Sequence, residues 1–155
     1  MWVWWVVVPV MPLLIAAALV LVRRWRTRRT MAQFQFARQL FHWRREWLEA
    51  DFLKSAGQNG MPRGLAWADC DFADEVVFAT DRVTGQLRAF VAVTIRFAAV
   101  AGGGLEDNVN VGNLRAATAV FHFDGHQWHT EGRAIFNLNP LETVQHFQHE
   151  LQRVE

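Results

Sequence analysis

The chain has no tyrosine, one cysteine (Cys70), one serine (Ser55) and one lysine (Lys54) among its 155 residues. Each scarcity excludes something. A single cysteine excludes an internal disulfide framework and any multi-thiolate zinc site. A lone serine with no Gly-x-Ser-x-Gly around it leaves no nucleophile elbow. The Gly102-Gly103-Gly104 run is not followed by Lys-Ser or Lys-Thr, so it is no P-loop. The histidines do not fall in the His-Glu-x-x-His order of zinc proteases, and the acids around Asp69, Asp71, Asp74 and Glu75 lack EF-hand spacing. No cofactor is predicted.

Charge is missing altogether from residues 2–22, a run of almost wholly apolar residues. A helix crossing about 30 Å of hydrocarbon needs roughly 20 residues. Pro9 and Pro12 are better tolerated in a spanning helix than in a soluble one. Trp2, Trp4 and Trp5 lie at one end and Trp25 at the other, as in an aromatic belt. No basic residue precedes the run, whereas Arg23, Arg24, Arg26, Arg28 and Arg29 follow it. That order is the reverse of a secretory signal peptide. The expected organisation is therefore a single transmembrane anchor (1–22), a basic juxtamembrane segment (23–29) and a small domain (30–155). Basic flanks stay inside, which predicts an N-terminus outside and a cytoplasmic domain.

The five arginines are expected to meet anionic lipid headgroups. Without them, 11 basic residues face 15 acidic ones, a net charge of about −4. Nucleic-acid domains need the opposite bias, so no nucleic-acid partner is expected. Composition is otherwise that of a folded protein, 52% apolar and 13% aromatic.

Residues 30–56 predict a helix with Thr30 as N-cap. Phe34, Ala37, Phe41, Leu48 and Phe52 form one apolar stripe, and Phe36, Leu40, Trp43 and Trp47 a second. Such a wide apolar surface suits packing on a sheet or a position near the membrane. Gly57, Gly60 and Pro62 are expected to end the helix. Short strands are predicted at 65–72 and 75–80, and a clear period-two strand at 87–97, joined through a turn at Asp81–Gly85. Residues 114–123 and 127–136 predict a hairpin about Asp124-Gly125. Asn139, Pro140 and Glu142 announce a last helix, with Leu141, Val144, Phe147, Leu151 and Val154 on its apolar face. The fold class is α+β: anchor, helix, four- to five-stranded antiparallel sheet and C-terminal helix.

Five of the six histidines follow residue 121. A two-residue turn pairs His122 with Gln127 and Val120 with His129. His122, His129, Glu131 and Arg133 then share the polar sheet face. Those residues are candidates for a metal or ligand, or for acid–base work by His129 and Glu131. Gly102, Gly103, Gly104, Glu106 and Asp107 form a second candidate, a loop whose amides can approach an anion or whose acids can meet a cation. Cys70, among acids, reads as buried and inert, and Glu142, His146, His149 and Arg153 as a solvated helix face.

The leading expectation is a membrane-anchored binding module that meets a protein partner at the cytoplasmic face. The alternative is a ligand-binding or metal-dependent enzymatic domain. Its element order is similar to that of the cystatin-like and nuclear-transport-factor-like architectures, where a long first helix packs on a curved sheet and encloses an apolar cone. That resemblance implies a pocket lined by Trp67, Phe90, Phe97 and Trp128, with His122, His129 or Glu131 at its mouth.

Overall fold

The computed structural model describes residues 31–59 and 64–154. The expected anchor, the Arg23–Arg29 segment and the expected Thr30 cap lie outside them. No helix among the described residues is long and apolar enough to cross a membrane.

Residues 31–43 form helix α1 and Arg45–Asn59 form α2. The backbone ladder runs through the break, because Arg44 N donates to Leu40 and Leu48 N to Arg44 (both 3.0 Å). Helix therefore continues past Gly57, further than expected. Phe34, Ala37, Phe41, Leu48, Phe52 and Ala56 are buried along one line. Their spacing of three, four and seven is that of a single helix face. The second predicted stripe does not join the core: Leu40 packs partly against it, while Phe36, Trp43 and Trp47 are exposed.

The antiparallel sheet has six strands: β1 (Leu65–Asp81), β2 (Leu87–Ala99), β3 (Arg115–Phe123), β4 (Trp128–His129), β5 (Ala134–Phe136) and β6 (Leu151–Val154). Their order is β4-β3-β2-β1-β6, with β5 also on β3. The two short predicted strands are one long strand, β1. It keeps pairing with β2 through irregularities between Trp67 and Asp69 and between Phe72 and Val76. Bulges bend a strand and increase its twist, which curves the sheet around the helices. Arg45 fixes the second irregularity by donating to the Asp74 (2.8 Å) and Ala73 carbonyls, while its Nε holds Glu49 (2.8 Å). Asp69 pairs with Arg96 (2.6 Å) across the strands.

Phe41 meets Phe78, Phe121 and Trp128 edge-on, at centroid distances of 5.8, 5.4 and 5.0 Å. Phe52 does the same with Trp67 and Phe72. Such pairs contribute about 0.5–1.5 kcal/mol each beyond burial. Trp128 Nε1 donates to the Ala37 carbonyl (2.7 Å) and ties β4 to α1.

Helix α3 (Pro140–His146) covers part of the other sheet face. Its predicted capping box is present: Asn139 accepts from Glu142 N, and Glu142 accepts from Asn139 N. Val144 packs with Ala79, Phe90, Val120 and Leu151. The helix then stops, and the chain ends on β6 rather than on more helix. Leu151 and Val154 decide this. They pack into opposite faces of the sheet, Leu151 on the α3 side and Val154 on the α1 side. A strand sends residues three apart to opposite faces; a helix would put them together. His149 and Arg153 accordingly leave the predicted helical stripe. β6 pairs only with residues 78–81 of β1.

Candidate functional site

The expected two-residue hairpin is a longer turn. His122 pairs with His129 and Phe123 with Trp128. The Asp124 carboxylate accepts from His126 and Gln127 N (2.8 Å each) and holds its pKa below the usual range. The register is thus two residues from the expected one. An even shift preserves the faces, so Phe121, Phe123 and Trp128 still belong to the core. His122 and His129 become direct neighbours with rings stacked at 5.7 Å. Burial, then the Arg88 charge, lowers the His122 pKa from its ordinary value. Glu131 opposes that shift, while His129 and Arg133 add to it. A half-buried imidazole beside Arg88 is harder to protonate than a free one. Among the described residues no three His, Cys, Asp or Glu side chains gather to hold a metal ion.

The glycine loop closes on itself. The Glu106 carboxylate accepts from Gly102 N, and its own backbone amide first, then those of Gly102, Gly104 and Gly103, lower its pKa. The anion that the glycine amides approach is the chain's own. Gly103 also lies against Gly64, where a Cβ would stand 2.5 Å from the Gly64 Cα. Burial raises the Cys70 thiol to about 12, with Asp69, Asp71 and Glu49 adding to the effect.

A cleft of about 750 Å³ opens elsewhere, between the end of α2 and the sheet. Its apolar wall is Leu65, Trp67, Phe97, Ala134 and Phe136, with Ala56 from α2. Trp67 and Phe97 stand 5.4 Å apart and Phe97 and Phe136 6.4 Å apart. Arg115, Glu131, Arg133 and Asn137 supply the polar groups. Trp67 Nε1 is buried and makes no hydrogen bond among the described residues.

The turn between β4 and β5 shapes this cleft. Thr130 Oγ1 donates to the Val120 carbonyl (2.9 Å) and accepts from Gly132 N (3.1 Å). Gly132 adopts φ +72°, and a Cβ there would stand 2.1 Å from Ala56 N. Glycine lets the turn touch the α2 backbone. Asn137 bends the chain out of β5 at φ +62°.

Of the residues expected to line a pocket, Trp67, Phe97 and Glu131 do so. Phe90 belongs to the opposite face under α3, and Trp128 is sealed in the core. His122 and His129 do not line it. Arg115, Phe136 and Asn137 were not foreseen. In the sequence, the available signal was an asparagine, a turn-forming residue, directly after the apolar triplet Ala134-Ile135-Phe136. A second cleft of about 720 Å³ lies beside Met31, the first residue described, and is lined largely by turn residues such as Thr84, Gly85 and Gly125.

Comparison with protein-family models, with curated proteins and with solved structures finds no match.

Proposed function

We propose that this chain is a membrane-tethered binding domain whose α2–sheet cleft takes a small molecule with a flat apolar body and one anionic group. The observation that carries the reading is the cleft's make-up. Three aromatic rings form its wall, and Arg115 and Arg133 stand at its edge. Its volume of about 750 Å³ lies in the range of small-molecule sites, roughly 300–1,000 Å³. Ring faces favour a planar ligand, and guanidinium groups favour a carboxylate. Glu131 on the same edge reduces the positive charge to that of a site for a single anion. Two guanidiniums, one carboxylate and one amide bind and orient; the cleft pairs no nucleophile with a base. Residues 2–22 and the following arginines would hold the domain at the cytoplasmic face.

The test is a thermal melt of the full chain in detergent with benzoate, salicylate and indole-3-acetate, against benzamide and benzylamine. A ligand that binds only the folded state raises the melting temperature, by about 2.7 kcal/mol of stability at a hundred times its Kd. The carboxylates should stabilise, and Arg115→Gln with Arg133→Gln should abolish the gain while Arg38→Gln on α1 leaves it. A flat response, or a gain that survives the double substitution, refutes the reading.

A further inference from the structure

We infer that the outward face of α1 and α2, built on Phe36, Trp43 and Trp47, lies in the headgroup boundary of the bilayer, with the helix pair along the membrane surface. The inference rests on the anchored reading of residues 2–22 but not on the cleft. Trp43 is 81% exposed, Trp47 78% and Phe36 54%. A folded domain seldom leaves two indoles so bare on one patch unless something covers it. Helical periodicity puts these three side chains opposite the buried line from Phe34 to Ala56. The helices are thus apolar on two opposite sides, and the sheet uses only one of them.

The chain itself indicates the occupant. The uncharged run ends at Val22 and the described helix begins at Met31. The residues between span at most about 28 Å when fully extended. Five of them are arginines, which anionic headgroups attract. A helix so tethered is confined near the surface, and indole rings prefer that boundary to water or to hydrocarbon. Two basic residues, Arg44 and Lys54, and two acidic ones, Glu46 and Asp51, flank the patch in sequence, so their charges balance. The arginine segment would bring the charge and the aromatic face the apolar area.

The experiment uses the full chain in vesicles of phosphatidylcholine and phosphatidylglycerol, in a Cys70→Ala background. Single cysteines replace Trp43, Trp47, Val109, Leu141 or Leu14 and carry an environment-sensitive fluorophore. Val109 is 89% exposed in the long loop, and Leu141 lies on α3 across the sheet. Labels at 43 and 47 should be quenched by lipid-borne nitroxide at least about threefold more than labels at 109 and 141. They should be correspondingly shielded from aqueous iodide. Iodide access at 43 and 47 with lipid quenching at 14 overturns the inference and leaves the anchor standing. Shielding from both quenchers also overturns it, because a second copy or the chain's own N-terminal stretch then covers the face. No lipid quenching at 14 removes the anchor and the inference with it.

Discussion

The contact between Gly132 and α2 can be tested by adding one methyl group. In Gly132→Ala the new Cβ meets two penalties. The backbone sits at φ +72°, where a non-glycine residue costs about 1–2 kcal/mol. The methyl group would also stand 2.1 Å from Ala56 N and 2.5 Å from Ser55 C, both backbone atoms of a packed helix. Neither can swing aside as a side chain would, and overpacking of this kind costs about 1–3 kcal/mol more. For a chain of this size each kcal/mol moves the melting temperature by roughly 3 °C. The expected fall is about 6–15 °C. Gly85 is the control, with almost the same φ (+70°) and nothing within 4 Å of an added Cβ. Gly85→Ala carries the backbone penalty alone, a fall of about 3–6 °C. Thermal melts of the two variants, followed by near-ultraviolet circular dichroism, separate close approach from backbone conformation. If Gly132→Ala loses no more than Gly85→Ala, the turn does not touch α2 and the cleft is not held as described. If the argument holds, Gly132→Ala should also weaken salicylate binding, because the displaced turn carries Glu131 and Arg133.

His122, half-buried with a lowered pKa, should make the fold sensitive to mild acid. Between its folded pKa and the ordinary value of 6.5 the unfolded chain binds more protons, so stability rises with pH through that window and falls on acidification. Melts across that range should show a smaller slope in His122→Gln; an unchanged slope assigns the effect elsewhere. Cys70, with its thiol raised to about 12, is ionised in about one molecule in ten thousand at pH 8. Its reaction with a disulfide reagent should be at least about a hundredfold slower than that of free glutathione, and guanidinium should restore it. Rapid labelling of the native chain would contradict the burial.

Local chemistry was legible wherever one residue pattern had one outcome. The alternation from Leu87 to Phe97 lies within β2, and Asn139 with Glu142 makes the capping box. The core stripe from Phe34 to Phe52 was equally plain, since five apolar residues at helical spacing have one way to be buried. Leu151 and Val154 were ambiguous, because a helix and a strand both bury them, on one face or on two. The edge of β1 settles the matter, and no local pattern reveals an edge. The hairpin register turned on the Asp124 side chain taking two backbone amides, which lengthened a turn that Asp-Gly usually makes short. The cleft was half visible. Trp67 and Phe97 are cross-strand partners that periodicity can place. Arg115 at the start of β3 and Phe136 with Asn137 at the end of β5 reach it because β5 pairs back on β3, a tertiary event.

The length of β1 has a consequence for how copies of this protein meet. β6 covers only residues 78–81, so residues 65–77 border the sheet with no further described strand beside them. Unpaired strand borders recruit other strands and seed aggregation. Asp69, Asp71, Asp74 and Glu75 crowd this stretch, and the two irregularities of β1 fall within it. A second copy pairing there would set carboxylate against carboxylate along a bent border. The acidic side chains and the two bends thus disfavour edge-to-edge pairing of two copies along this stretch.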